Sequence, residues 1–414
     1  MSDDAPREVM GLNPFEPGYF ADPYAQYAAV RAANPIHQSP LGPWLITRWD
    51  DVHALLRTPG TSVEERNIVS DGPTRTEQLA EVRMARGLDP HRSLAILNID
   101  PPDHTRIRRL VSKAFTPRAV ERIRARAGEL VDEILDDMAG RDEPVDLISE
   151  LAFPLPFTVI SEMLGMPDGD RLHLRELSHT ITQALDPLLV MANGEAIIEA
   201  AVEMRGIVGE AIAWKRGRPD DDDLLQALIR AEDEGDVLTD AELLENVVLL
   251  FLAGHETTVN LIGNGVHALL DHPAQLAELA ADPSLDANAI EELLRWDSPV
   301  QFSRRIMLQS VEMDGNVFEA GSLVMTCLGA ANRDPDKFGP TAGELDLRRT
   351  DAREHVSFGS GVHHCLGAAL ARLEGQEAIG RLVRRFPAVE RAGDPVHNER
   401  IVLRGFDALP VLLS

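Results

Sequence analysis

Over most of this chain apolar and polar positions recur with the 3.6-residue period of helices rather than the alternation of strands. Such runs cover residues 119–140 and 145–166, and residues 171–217 read as two helices split by Asp186 through Gly194. Earlier, Asp22-Pro23-Tyr24-Ala25 can open a helix with proline near its first turn, Trp44 to Thr47 reads as a short strand, and Trp49 to Arg57 as another helix. Residues 58–98 show weak periodicity and read as a long irregular connection of the kind that forms substrate loops. The longest predicted helix opens at Thr239-Asp240-Ala241-Glu242, a capping box, and runs to about His272, just before Pro273. That is ~50 Å at 1.5 Å per residue, enough to cross a domain. Residues 298–328 read as β-rich, and no internal repeat is visible.

Two places break this pattern. In the long helix an apolar stretch, Val247 to Ala253, runs into Gly254-His255-Glu256-Thr257-Thr258. A buried acid is costly without a partner, and threonine competes for its own helix carbonyls. The break reads either as an ordinary polar face or as a proton-handling groove. Between the two helices of 171–217, Leu188 to Met191 is too apolar for a plain connection. It reads equally as a lid over an apolar cavity or as loop packing. The acidic run Asp220 to Asp223 reads as a solvated helix N-terminus.

Composition narrows the class. The chain has 414 residues, 44% apolar and 26% charged, which is globular. Against 40 basic residues stand 68 acidic ones, a net charge of −28, which argues against nucleic acid or an anionic membrane as a general partner. Met1 to Glu8 is polar and acidic, so no secretory leader is expected, and no apolar run is long enough to span a bilayer. Two cysteines give no disulfide framework and suit the reducing cytoplasm, the expected location.

Of those cysteines, Cys327 lies in a strand-like apolar run and reads as inert core. Cys365 lies in Phe358-Gly359-Ser360-Gly361-Val362-His363-His364-Cys365-Leu366-Gly367, just before the helix-forming run Ala368 to Glu374. A thiol at a helix N-terminus sees a positive dipole end, which favours the thiolate. Glycines let the backbone approach something flat and bulky. The spacing Phe-Gly-x-Gly-x-His-x-Cys-x-Gly resembles the haem-binding loop of the cytochrome P-450 family, with every position filled.

Other motifs carry the same resemblance. On the helix that starts after Pro101-Pro102, His104 and Arg108 share one face; Arg106, Arg109 and Lys113 lie roughly opposite. Alone this would read as a solvated basic helix. The resemblance implies that His104 and Arg108 hold haem propionates, joined by Arg305 (rather than Arg304) and His363. Glu256 and Thr257 fill the acid and alcohol positions of the family's oxygen-binding helix. Glu292 and Arg295 match its structural Glu-x-x-Arg pair, with Arg349 as third member, and Asn332-Arg333-Asp334-Pro335 also fits.

The resemblance implies a mainly α fold with small β-sheets, residues 1–414 as a single domain, β-richer toward the N-terminus. Haem b would sit between the long helix and the cysteine loop, with Cys365 as axial iron ligand and Phe358, Gly359, Gly361 and Gly367 shaping the loop. Glu256 and Thr257 would relay protons to O2, and one oxygen atom would enter a hydrophobic small molecule. Family offsets place Ala253, Gly254, Val300, Phe302, Val402 and Leu403 in the substrate pocket, with the 84–98 and 185–194 loops. The chain has no dinucleotide fingerprint and no length for a flavin domain. Electrons from NAD(P)H would therefore arrive through a ferredoxin or flavodoxin and its reductase, docking on the face of Arg106, Arg109 and Lys113, and the protein would be a monomer. The alternatives are a peroxide-driven peroxygenase, against which the Glu256-Thr257 pair argues; a haem sensor, which would need no proton relay; and a cysteine hydrolase, for which His363 and His364 lie too close in sequence.

Overall fold

In the computed structural model, residues 12–39, 42–70, 74, 77, 79–89, 93–113, 115–141, 143–166, 171–218, 223–233 and 235–413 are described. The molecule is mainly helical with small sheets, as the periodicity requires. Its axis is the central helix Asp240–Asp271, capped by the reciprocal Thr239–Glu242 box and ended at His272. Both ends fall where the local signals put them. The middle is buried on nearly every side, packed against Pro154–Leu164, Pro187–Arg216, Asp286–Trp296 and the cysteine helix Ala368–Arg385. The largest core cluster joins these elements to Pro117–Met138. No helix among the described residues is long and apolar enough to cross a membrane.

The main sheet is assembled from distant segments. Its five strands run in the order Ile36–Gln38, Trp44–Ile46, Leu323–Cys327, Phe302–Met307, Thr61–Ser62, with Trp44–Ile46 and Leu323–Cys327 parallel and the other pairs antiparallel. Its longest strands come from 302–327, so β structure is not concentrated toward the N-terminus as expected. Cys327 is fully buried in this sheet, where burial pushes its thiol up to about 12, and it is inert core.

Three expectations about these elements need correction. Residues 145–166 open on a strand, Val145–Asp146, paired with Pro410–Leu412, then a π-turn, Ile148–Ala152, before the α-helix starts at Pro154. The break in 171–217 falls at Gln183–Asp186, not across 186–194. Asp186 accepts hydrogen bonds from the Leu188 and Leu189 amides with Pro187 in the first turn, so helix resumes at once, kinked at Asn193. Leu188 packs on a core cluster, while Met191 is 80% exposed. The connection 58–98 holds the strand Thr61–Ser62, a 3-10 turn at Glu65–Asn67 and a helix at Ala80–Ala85. Of the acidic run, Asp220 to Asp222 lie outside the described residues; Asp223 caps the helix Leu224–Ile229.

Candidate haem and oxygen site

The cysteine loop is held from behind by buried polar bonds. Glu292 and Arg295 lie within one helix, both fully buried, and meet through two bonds of 2.6 and 2.8 Å. Arg295 also donates to the carbonyls of Asn332, Ala342 and Glu344. Arg349 completes the knot, 3.3 Å from Glu292 and donating to the Phe338 and Thr341 carbonyls. Asn332 carries the connection forward. Its amide donates to Ser298 and Ser357 Oγ at 2.7 and 2.8 Å, and its Oδ1 accepts the Val356 amide at 2.7 Å. Ser357 directly precedes Phe358.

Within the loop, Gly359 and Gly361 have φ of +67° and +72°, and a Cβ on Gly361 would fall 2.4 Å from the Leu56 carbonyl. Only glycine fits there. The Cys365 amide donates to Phe358 O at 2.9 Å. Arg372 stacks 4.4 Å over the Phe358 ring and pairs with Glu291, which also bonds His355 at 3.0 Å. Burial would raise the Glu291 carboxyl, but the bonds from His355 and Arg372 outweigh it and hold it at about 2. The sequence reading missed this Phe358–Arg372–Glu291–His355 brace, because its members lie in three separate segments.

Cys365 faces open space, yet burial pushes its thiol pKa up. The Gly367 amide, Arg108 and Arg372 pull the other way and do not win. Among the described residues no group of three or more His, Cys, Asp or Glu is placed to hold a metal ion.

Beside the loop, four basic side chains converge. His104 is 2% exposed, neither ring nitrogen has a hydrogen-bond partner, and its ring lies 4.3 Å from that of His363. Burial, then Arg108, holds His104 down at about 4. Burial, then His104, Arg305 and Arg108, holds His363 down at about 3. Arg305 is 4% exposed and, among the described residues, donates to the Arg304 carbonyl and Ser303; burial lowers it to about 10, against an opposing pull from Asp100. Arg108 donates to the His364 carbonyl at 2.5 Å. Arg304 is instead spent on Glu65. At neutral pH the two imidazoles are uncharged, so the charge here is carried by Arg108 and the buried Arg305, a cation that is costly without an anion beside it. Two propionates would supply it, and the residues present fit haem.

On the central helix, Thr257 Oγ1 donates to the Ala253 carbonyl at 3.0 Å and Thr258 to that of Gly254 at 3.5 Å, bonds that compete with the helix's own. Ala253 is exposed in the middle of the helix, as a cavity wall would be, and Val300 is half-buried. The other pocket candidates are more buried. Phe302 is 2% exposed and edge-on to Tyr27, Val402 and Leu403 are buried, and Gly254 gives close approach to Ile160. Glu256 has a partner that no local signal announces: Arg400 Nη1, 3.3 Å away.

One expected face is corrected. Arg106 pairs with Asp236 and Glu242, the latter in the first turn of the central helix, so it is tied inside the molecule.

The family model for cytochrome P-450 matches residues 74–282 and 283–403. This chain belongs to the cytochrome P-450 family. It is 44% identical over 417 residues to Cytochrome P-450 107B1 of Saccharopolyspora erythraea, covering 98% of both chains. It is 41% identical to the cytochrome P-450 monooxygenase PikC of Streptomyces venezuelae, covering 97% of this chain and 94% of that one. Among solved structures it resembles PksS, a cytochrome P-450 of the Bacillus subtilis bacillaene polyketide synthase, with a TM-score of 0.85, 35% identity and coverage of 97% and 99%. As a P-450 it is a monooxygenase, an oxidoreductase that uses haem and O2 to put oxygen into small molecules.

Proposed function

We propose that this P-450 hydroxylates or epoxidises a hydrophobic small molecule of the polyketide kind, with haem b held through Cys365. The basic cluster His104, Arg108, Arg305 and His363, with no carboxylate bound to it among the described residues, is the observation that carries the haem assignment. The polyketide class rests on the kinship to PksS, whose name ties it to bacillaene synthesis.

When bound, haem with a sulfur ligand supplies the oxygen activation and the attack on carbon. The chain supplies the rest. The brace behind Phe358 and the Asn332 bonds fix the sulfur, Ala253 and Val300 present apolar walls, and Glu256 with Thr257 moves protons toward O2. Electrons originate at NAD(P)H and arrive through a separate ferredoxin or flavodoxin; Arg109 and Lys113 remain candidates for its docking face. The protein works as a cytoplasmic monomer. A peroxide-driven reaction is the weaker reading, since it has no use for the Glu256-Thr257 turn.

The test is a screen of macrolides, other polyketides and fatty acids for a spin-state shift of the ferric Soret band. Binders confined to charged, non-polyketide molecules would overturn the substrate class.

A further inference from the structure

The turn at residues 95–98 is held by one buried side chain. The Asn98 amide closes it by donating to the Ala95 carbonyl at 2.9 Å. Asn246 of the central helix is 1% exposed and grips the chain where the turn begins. Its Oδ1 accepts the Ile96 amide at 3.0 Å, and its Nδ2 donates to the Leu94 carbonyl at 3.0 Å. One side-chain amide thus does for Leu94 and Ile96 what a neighbouring strand would do. Nδ2 also donates to the Glu242 carbonyl at 2.8 Å, which fixes the amide on its own helix. One N–H on one side and two carbonyls on the other settle which way the amide is turned.

A second tie follows directly. Arg106, on the helix Asp103–Ser112, pairs with Glu242, one turn before Asn246. Upstream, Ala80–Ala85 meets Pro187–Arg216 through Arg86 and Glu199, both exposed. An exposed pair of that kind is worth little, whereas loss of the Asn246 amide leaves the buried Ile96 N–H without an acceptor. Asn246 is therefore the stronger constraint on where this segment lies.

What the turn carries is Leu97. Ala95, Ile96 and Ile99 are buried, while Leu97, third of the four turn residues, is 45% exposed. Asn246 stands on the same face of the central helix as Ala253, two turns or ~10 Å before it, with the half-buried Leu249 between them. The turn is clipped across one end of the apolar strip that leads to the wall at Ala253.

We propose that Asn246 is a specificity-determining positioning residue: by pinning the Leu94 carbonyl and the Ile96 amide it holds Leu97 as the end wall of the substrate pocket and so limits how bulky a molecule the site admits. The proposal rests on the reading of Ala253 as a wall of that pocket. Leucine at 246 matches the volume of asparagine but leaves both backbone groups unpaired, so the turn must shift outward to reach water.

The test uses the haem-loaded protein and azoles that bind ferric iron, read from the Soret shift: imidazole, phenylimidazole and econazole, in order of size. In Asn246→Leu and in Leu97→Ala the preference for econazole over phenylimidazole should rise about tenfold in Kd, while imidazole stays within about twofold. The double variant should add little to either single one, because both act on one wall. Hydrogen exchange at the Ile96 amide should quicken in Asn246→Leu and not in Leu97→Ala. An unchanged preference, a fully additive double variant or an Ile96 amide still protected in Asn246→Leu overturns the proposal. Leu97→Ala breaks no bond of the clip, so it tests the wall even where Asn246→Leu folds poorly. Ala253→Leu separates the two readings. If it leaves every azole unaffected, the pocket does not lie at Ala253 and both readings fall. If it weakens phenylimidazole and econazole while Asn246→Leu and Leu97→Ala change nothing, this proposal falls alone.

Discussion

The imidazoles of His104 and His363 stand 4.3 Å apart in a buried site where Arg108 and Arg305 join them. Neither ring nitrogen of His104 has a partner among the described residues. Burial of Arg305 there is unfavourable until an anion meets it. His104→Leu and Arg305→Leu should each weaken haem binding by ~1.5–3 kcal/mol, roughly 10- to 100-fold in Kd, measured by titrating haem into the apo protein. Arg304→Leu should not, because that side chain is engaged by Glu65. The reverse ranking would reassign the propionate arginine.

Cys365→Ala should abolish the red-shifted Soret band of the reduced carbon monoxide complex that marks a sulfur ligand. Cys327→Ala should keep it and cost only about 1 kcal/mol in denaturant unfolding, since a small buried group is lost from the sheet. A retained band in Cys365→Ala would remove Cys365 as the ligand.

Thr257→Ala should keep NAD(P)H consumption going while diverting it to peroxide, so that product per electron falls. Its hydroxyl is tied to the Ala253 carbonyl of its own helix, so the helix should survive without it. Coupling equal to that of the unaltered protein would take Thr257 out of the reaction.

Glu292→Ala would leave Arg295, fully buried, without its carboxylate. Breaking a buried pair costs ~3–5 kcal/mol, a large part of a domain's stability. Poor haem content and a melting temperature lowered by several degrees are expected. Glu292→Gln, which keeps the acceptor geometry on one side, should lose less.

Glu374 sits on the cysteine helix, fully buried, with neither carboxyl oxygen hydrogen-bonded within the described residues by distance and angle. Burial, partly offset by Thr258, pushes its pKa up to about 8. The unfolded chain ionises near pH 4.5 and the folded one near 8, so the unfolded state binds fewer protons between them. Stability from this group is therefore lost as pH rises through that window, by at most about 1.4 kcal/mol per unit. Glu374→Gln should be relatively more stable at pH 8 than at pH 5, read from paired unfolding curves. A difference independent of pH would show that the carboxyl is already ionised in the fold.

What was legible in the sequence was local. The capping box and Pro273 bound the central helix because both act within one turn. The cysteine loop and the Glu292–Arg295 pair likewise carry their own spacing. What depends on residues far apart in sequence was not legible. Arg106 carries no mark of Asp236 or Glu242, and Glu256 none of Arg400. Phe302 lies in a strand, where alternation separates two faces without saying which one meets the pocket. Asp186-Pro187 did carry a signal, a cap followed by a first-turn proline, but the apolar residues after it read as a connection. The π-turn at 148–152 kept an apolar pattern close enough to a helix to hide it.

The parallel pairing of Trp44–Ile46 with Leu323–Cys327 has a consequence for synthesis. The two strands are about 280 residues apart, so the ribosome has made most of the chain before the second exists. Until then Trp44-Leu45-Ile46 has only Ile36–Gln38 beside it, and its other edge lies open to any strand it meets. A nascent chain stalled before residue 323 should therefore depend on chaperones in a way the finished protein does not.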